Sequence, residues 1–242
     1  IFIASVSMLF AFVGLIFLFE TSRSVLPAGS LNWTELMAIA PALPAGMVLA
    51  SSALVFVGFA AKSGIFPFHT WLPEAHAKAP SAVSAVLSGV LLNVGIYGIL
   101  RVAAVAHQTT AAAALGGLIA IAGVLTIGIA AFSMLRERNL KKLIAYSSVE
   151  NMGILLVGIA AASPVAIFWT LFHVMGHSLT KASLFFSAGI LHRQYKSPVS
   201  HEADDEIVDV FSFQPLAAWG VIIGSLAITG TPLFPVFYSK LS

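Results

Sequence analysis

Residues 164–191 read PVAIFWTLFHVMGHSLTKASLFFSAGIL, a run long and apolar enough to cross a membrane as one helix. Within it His173, His177 and Lys181 recur every four residues, so they form one stripe that rises about 6 Å at each step. A lysine near the centre of a bilayer costs about 2.5–3.5 kcal/mol on insertion scales. An ionisable stripe in this position therefore suggests a route for charge through the membrane.

The composition excludes a soluble protein. The chain is 59% hydrophobic and only 9% charged, whereas ordinary soluble domains carry about a quarter charged residues. It contains no cysteine, which excludes disulfides, thiolate catalysis and cysteine-ligated metal or iron–sulfur sites. Because no nucleophile–base pair or cofactor fingerprint is visible either, we expect neither a cofactor nor a catalytic centre of the chain's own.

Seven stretches reach the length of about 20 apolar residues that a spanning helix needs. They cover residues 1–19, 44–66, 82–106, 111–135, 141–162, 164–191 and 213–241. Spanning β-strands would be about half as long and would alternate in polarity, which these stretches do not. The sequence predicts an all-α, polytopic transmembrane helix bundle that forms a single domain over 1–242, with a short interfacial helix at WTELMAIA (33–40).

Two of these predicted helices contain breaks beside a lysine. Lys62 precedes the proline-containing segment 63–67, and Lys240 follows segment 230–235, which contains two prolines. Proline removes a backbone hydrogen bond, and in lipid such a break is tolerated only where protein or a water-filled cavity covers it. Broken helices that carry a charge at mid-membrane are typical of ion sites in transporters. The alternative is a lysine whose ammonium reaches water from a helix end, and it is stronger for Lys240.

Two further readings of embedded polar residues stay open. Glu150 is the only acid well inside a predicted span; such an acid needs a partner or a proton, so it fits a relay or a structural ion pair equally well. The spacing of His173 and His177 also fits a zinc site, but no glutamate lies between them as in the HExxH arrangement. We therefore favour a proton ladder over a metal site, since histidine changes charge near physiological pH.

Lysine and arginine predict the orientation through the positive-inside rule. Three loops on one side carry Lys78, Arg136, Arg138, Lys141, Lys142, Arg193 and Lys196. The opposite side carries only Arg23 and Arg101, so we expect the first set to face the cytoplasm. His69 then lies at the cytoplasmic mouth of the second helix, and we expect His76 to be a solvated loop residue.

Three long motifs resemble one family of membrane subunits. They are KSGIFPFHTWLPEAHAKAPSAVSAVLSGVLLNVGIYGILR (62–101), LKKLIAYSSVENMG (140–153) and HVMGHSLTKASLFFSAG (173–189). They look like the proton-conducting antiporter-like subunits of respiratory complex I, group 4 hydrogenases, formate hydrogenlyase and multisubunit sodium/proton antiporters. The resemblance implies two inverted five-helix repeats, each with a broken helix. It also implies that this chain is an internal piece, from the sixth helix into the twelfth, of a protein in a prokaryotic cytoplasmic membrane.

The resemblance assigns roles to the embedded residues. Lys62 matches the family's channel lysine in the first broken helix. His173 and His177 match histidines of the central axis, and Lys181 matches its central lysine. Lys240 matches the lysine of the second broken helix, near the exit. Together with Lys141, Lys142 and Glu150, these residues are the expected proton relay.

Some positions depart from the family pattern or stay open. Either Lys141 or Lys142 matches a conducting lysine at the start of the tenth helix. Ser88 stands where several members place a histidine, and Asn93 stands where others place a lysine. The family's partner glutamate for Lys62 would lie upstream of Ile1, so this piece alone is not expected to pump.

The function that the resemblance implies is proton translocation by a subunit of a redox-driven oxidoreductase complex, either NADH:quinone oxidoreductase or a membrane-bound hydrogenase. The expected partners are the other membrane subunits of that complex, the lipid bilayer and protons. Two alternatives remain. A sodium/proton antiporter is weakly disfavoured, because hard cations prefer oxygen ligands and Glu150 is the one embedded acid. A non-conducting structural anchor is not expected to retain the embedded lysines.

Overall fold

The computed structural model describes residues 2–195 and 210–241, and every regular element in these ranges is helical. The first six helices are α1 (Phe2–Ser22), α2 (Trp33–Ile39), α3 (Ala45–Lys62), α4 (Trp71–Lys78), α5 (Ser81–Val86) and α6 (Leu92–His107). The next six are α7 (Ala112–Met134), α8 (Leu140–Ala160), α9 (Pro164–Tyr195), α10 (Val210–Phe213), α11 (Pro215–Thr229) and α12 (Pro235–Leu241). The prediction of an all-α polytopic bundle is confirmed, and the predicted interfacial helix is α2.

Length and composition alone identify four membrane-spanning segments in the described ranges. They are Ala45–Lys62, Ser81–His107, Ala112–Met134 and Leu140–Ala160, and shorter apolar helices cover Val6–Ser22 and Pro215–Thr229. Helix α9 is long but carries its polar stripe in the middle, so composition alone does not identify it as a span. Lys196, one of the lysines predicted to face the cytoplasm, lies outside the described residues.

The first predicted break is confirmed between α3 and α4. Helix α3 ends at Lys62, Gly64 adopts a positive φ of 67°, and the helical path resumes with a short turn before α4. Other helices take up the backbone groups that the break frees. The Phe66 amide donates to the Thr126 hydroxyl at 3.1 Å, and the Trp71 indole donates to the carbonyl of Ala61 at 3.0 Å.

The second predicted break is confirmed between α11 and α12. Gly230 ends α11 in the left-handed conformation, with φ 85°, which a residue with a Cβ rarely adopts. Helix α12 begins at Pro235. Lys240 folds back over the break, and its Nζ donates to the carbonyl of Ile228 at 3.1 Å. The lysine therefore satisfies a carbonyl that the end of α11 leaves free.

A third irregularity lies between α5 and α6, where residues Leu87–Leu91 form a π-helical turn. Such turns are rare and often lie at functional sites. This one brings Gly89 against α9, so close that a Cβ at Gly89 would meet the carbonyl oxygen of Ser178 at 3.1 Å. The sequence analysis did not predict it, because the run has no proline or other local signal.

Helices α8 and α9 form the middle of the described bundle. Helix α8 packs against α4, α7 and α9, and α9 also contacts α5, α11 and α12. Helix α1 packs on α3. Large apolar side chains such as Phe132, Leu135 and Leu179 are exposed on the outer surface, as expected where helices meet lipid. The polar residues that concern function lie inside, on α8 and α9.

The contact between α7 and α8 depends on two facing glycines, and this gives a first prediction. A Cβ at Gly123 would lie 2.9 Å from the carbonyl oxygen of Gly153, which is closer than such atoms approach. Gly123→Leu should therefore push the helices apart and destabilise the fold by about 1–3 kcal/mol or more. We expect a lower midpoint of thermal unfolding in detergent and a smaller folded fraction on size-exclusion chromatography.

Gly128 on the same helix provides the matched control, because a Cβ there would meet nothing within 4 Å. Gly128→Leu should leave both readouts near those of the parent. Equal losses for the two variants would mean that leucine on α7 is harmful in general and that the close approach is not the cause.

Candidate functional site

Lys181 lies at the centre of the candidate site. Its side chain is 0% exposed, and its Nζ donates to the carbonyl of Ile144 at 2.7 Å and to the hydroxyl of Ser147. Both partners belong to α8 and neither carries charge. The predicted inward orientation of Lys181 agrees with this placement. The lysine is held by a carbonyl and a hydroxyl, which accept hydrogen bonds from a neutral amine as well as from an ammonium.

His173 lies two turns before Lys181 and is also buried. Its Nε2 is 2.9 Å from Oδ1 of Asn151, and its Nδ1 is 2.7 Å from the hydroxyl of Ser239. Because the Asn151 amide nitrogen donates to the carbonyl of Ser147 at 2.6 Å, its oxygen accepts from Nε2–H. In the neutral imidazole, Nδ1 then accepts from the Ser239 hydroxyl. In the protonated imidazole, Nδ1 donates to Ser239, whose own proton can go to the carbonyl of Val236, 3.0 Å away.

His177 lies between His173 and Lys181 on the same helix face and is fully buried. Among the described residues, neither of its ring nitrogens has a hydrogen-bond partner. Buried polar groups of this kind are commonly bridged by water. The zinc alternative is not supported: both nitrogens of His173 are engaged, and the described residues contain no group of three His, Cys, Asp or Glu that could hold a metal.

Lys240 lies near the opposite end of this stripe from Lys181. It is half-buried, and a cavity of about 300 Å³ next to it is also lined by His173, Ser239 and Thr170. The cavity reaches the loop between α8 and α9, on the side predicted to face away from the cytoplasm. Because its Nζ donates to the carbonyl of Ile228 inside the bundle, Lys240 does not fit the alternative of an ammonium that reaches water from a helix end.

Glu150 is half-buried on α8. It lies within electrostatic range of both Lys181 and Lys240. This position on the helix next to the stripe agrees with either a relay role or a structural ion pair, so both interpretations stay open. Lys62 is half-buried at the last residue of α3, where the predicted break begins, and its role stays a prediction.

The two lysines at the start of α8 differ in their surroundings. Lys141 is buried, and its Nζ donates to the carbonyl of Ala79 at 3.3 Å. Lys142 forms a direct ion pair with Glu74 that is largely open to solvent, and this hydrogen bond lowers the pKa of the Glu74 carboxyl. The sequence left the choice between the two lysines open, and the geometry favours Lys141 as the one that faces the interior.

The two positions that depart from the family pattern are polar links between helices. Ser88 is fully buried, and its hydroxyl is 2.8 Å from that of Ser148 on α8. Ser148 donates at 3.2 Å to the carbonyl of Ile144, the same carbonyl that accepts from Lys181. Asn93 donates at 2.9 Å to the hydroxyl of Ser178 on α9. The two residues therefore join the π-helical turn and α6 to the central pair of helices.

His76 is buried, contrary to the expectation from the sequence. It was expected to be a solvated loop residue, but it is 0% exposed and its ring stacks on Phe185 with centroids 4.6 Å apart. The expectation was wrong because the chain resumes a helix after the first break. That helix, α4, lies against α8. His69 is buried as well.

With this geometry in view, comparison with known proteins decides the family. The family model described as "NADH:quinone oxidoreductase/Mrp antiporter, TM" matches residues 1–242, the whole of the sequence. The chain belongs to this family. The resemblance drawn from the three motifs is confirmed, and so is the expected location in a membrane with several passes.

Known members of the NADH:quinone oxidoreductase/Mrp antiporter family match along nearly the whole chain. The chain is 33% identical over 240 residues to the hydrogenase-4 component F homolog of Methylacidiphilum infernorum, covering 98% of this chain and 50% of that protein. It is 36% identical over 203 residues to NAD(P)H-quinone oxidoreductase chain 4 3 of Picosynechococcus sp., covering 82% of this chain and 35% of that protein. The chain therefore spans half or less of these relatives.

A solved structure shows the same fold. A chain of the membrane-bound sulfane sulfur reductase, an archaeal respiratory membrane complex, superposes with a TM-score of 0.86 at 25% identity, covering 99% of this chain and 47% of that one. The relatives named here are components of larger membrane assemblies. The structure adds the residues that form hydrogen bonds with the stripe on α9, namely Ser147, Asn151 and Ser239.

Sequence reasoning missed these partner residues for a physical reason. Ser147 and Asn151 are four residues apart on α8, which is a helical repeat, but polar residues at that spacing often bond only to their own helix. Ser239 lies next to Lys240 in the second broken helix, and no local pattern connects it with His173. The three residues become significant only when α8, α9 and α12 are seen together.

Proposed function

We propose that this chain is the proton-conducting part of a membrane subunit in a redox-driven complex. The observation that carries the proposal is Lys181, which is fully buried and is held by two uncharged acceptors. A neutral amine has two N–H groups for these acceptors and a lone pair that is free to take a proton. An ammonium keeps both bonds and gains a third donor. The site therefore accepts both protonation states without rearrangement of α8.

The proposed path runs along α9 from Lys181 through His177 and His173 to Lys240. Ser239 connects His173 with Lys240. Its hydroxyl bonds to His173, and Lys240, the next residue in the chain, borders the same cavity. His173 can receive a proton at one ring nitrogen and release one from the other. Water on either side of His177 would complete the path, since its nitrogens have no protein partner in the described part of the chain.

The energy for this movement would come from a neighbouring subunit. We propose that charge movement there separates Lys62 from an acidic partner in another part of the longer protein. A lysine that loses an opposite charge in a low-dielectric interior favours its neutral form and releases its proton. The chain itself would carry no redox centre, and its partners would be the other membrane subunits of the complex.

Two alternative functions fit the geometry less well. A sodium site needs several oxygen ligands, yet Glu150 is the single carboxylate in the described helices α5 to α9, and the acceptors at the centre hold a lysine amine. A structural anchor gains nothing from a buried lysine that costs energy in the membrane. The choice among hydrogenase, dehydrogenase and antiporter assemblies is made by identifying the subunits that co-purify with the full-length protein.

The pair Lys141 and Lys142 tests whether protons reach this path from the start of α8. We expect Lys141→Gln in the full-length protein, within its native complex in sealed vesicles, to lower proton pumping about tenfold or more, because it removes a titratable group that faces the interior. Lys142→Gln should lower pumping little, since a surface ion pair contributes about 0–1 kcal/mol. Pumping is followed with a pH-sensitive dye and divided by redox turnover.

The opposite ranking, with Lys142→Gln the more harmful variant, would show that the interior lysine is not the conducting one. If both variants pump as many protons per turnover as the parent, the lysines at the start of α8 do not take part in proton transfer. Neither result depends on Lys181, so the centre of the proposal is tested separately.

A further inference from the structure

His76 is a buried histidine that the path described above does not use. It lies in α4, is 0% exposed, and neither of its ring nitrogens has a hydrogen-bond partner among the described residues. Its imidazole stacks on the ring of Phe185, with an angle of 18° between the planes. A phenylalanine would make this stack without burying two unsatisfied nitrogens. Packing alone therefore does not account for a histidine at this position.

The surroundings of His76 connect it with two lysines. Phe185 follows Lys181 by one helical turn on α9, so the imidazole lies beside the helix that carries the central lysine. His76 interacts electrostatically with both Lys181 and Lys141. Lys141 reaches the carbonyl of Ala79 just after α4 ends. The imidazole is therefore placed between the lysine-rich end of α8 and the centre of the bundle.

The backbone groups that carry or hold the two lysines lie close together along the axis of α8. Lys141 is three residues before Ile144, whose carbonyl accepts from Lys181, and three residues of helix rise about 4.5 Å. The charged side chains of α4 are Glu74 and Lys78, and both are exposed. An imidazole with two free nitrogens is the titratable group that fits between the two amines.

We infer that His76 carries protons between Lys141 and Lys181, as an entry branch from the lysine-rich side to the central axis. The inference rests on the proposed function and deepens it. In this step one ring nitrogen accepts a proton from a bridging water, which takes a proton in turn from the Lys141 ammonium. The other nitrogen releases its proton, through water, to the neutral amine of Lys181. One N–H bond forms as another breaks, and the imidazole ends in its other neutral tautomer, which returns by a second exchange or a ring flip.

The test is His76→Phe in the full-length protein within its complex. The substitution keeps the aromatic stack on Phe185 and removes both unsatisfied nitrogens, so the assembled complex should be as stable as the parent or more stable. Protons moved per redox turnover should nevertheless fall at least about tenfold, since loss of a positioned proton-transfer group typically costs about 100-fold or more. His76→Gln, which is polar but does not titrate, should fail in the same way.

His107→Phe is the matched control, because His107 is an exposed histidine at the end of α6, and it should pump as the parent does. A purely structural role for His76 gives the contrary result, with parental pumping by His76→Phe and by His76→Gln. If those variants pump normally while Lys181→Met does not, the entry branch is wrong and the proposed function stands. If Lys181→Met also pumps normally, the proposed function itself is wrong.

Discussion

Lys181→Met should leave the complex assembled and lower its proton pumping on the order of 100-fold, the usual effect of removing a positioned proton-transfer group. Methionine keeps much of the length and the apolar stem of lysine but has no titratable amine. The substitution also removes the cost of a buried amine in the membrane, so the amount of assembled complex should stay the same or rise. Pumping is measured by dye quenching in sealed vesicles, together with the amount of assembled complex.

Lys181→Arg should also fail, for a different reason. Guanidinium keeps its proton at any working pH, and it is bulkier than the lysine amine in a site that is fully buried. We expect arginine to reduce both assembly and pumping, whereas methionine reduces pumping alone. Thr180→Val is the control on the same helix, because the Thr180 hydroxyl donates to the carbonyl of Gly176 on its own helix, one turn earlier.

Asn151→Leu should have the second large effect. Leucine has a similar volume, but it removes the acceptor for His173 Nε2 and leaves a buried N–H without a partner, which costs about 1–3 kcal/mol. The tautomer of His173 is then no longer fixed, so Nδ1 no longer accepts reliably from Ser239. We expect pumping per turnover to fall about tenfold or more and the thermal midpoint of the complex to fall moderately.

Met152→Leu is the matched control for Asn151→Leu, since it introduces the same residue at the next, fully buried position. A volume-conserving apolar exchange of this kind usually costs less than about 1.5 kcal/mol, and pumping should be retained. Parental pumping by Asn151→Leu, in a complex that assembles, would show that the orientation of His173 does not matter to the transport.

Local sequence signals predicted most of the architecture. Charges inside apolar runs and prolines beside lysines are short-range features, and they identified the stripe on α9 and both broken helices. The π-helical turn at Leu87–Leu91 was not predicted, because nothing in its sequence distinguishes it from a regular helix. The burial of His76 was missed because it depends on how α4 lies against α8 after the first break.

The sequence indicated the ionisable residues of the candidate site but not the residues that form hydrogen bonds with them. His173 and Lys181 stand out because charged or titratable groups are costly in a membrane. Ser147 and Asn151 do not stand out, since hydroxyl and amide groups in a helix can bond to their own backbone. The choice between Lys141 and Lys142 also needed the structure, because two adjacent helical residues point about 100° apart and only packing tells which one faces inward. The roles of Lys62, Glu150 and the other expected relay residues stay predictions.

In the proposed path every proton passes through the amine of Lys181, and the number of protons moved per redox turnover measures this passage. The parent, Lys181→Met and Thr180→Val would be compared in the same vesicles, with redox turnover measured in the presence of an uncoupler. We expect the ratio to fall strongly in Lys181→Met alone, with uncoupled turnover retained. An unchanged ratio in fully assembled Lys181→Met complexes would contradict the relay.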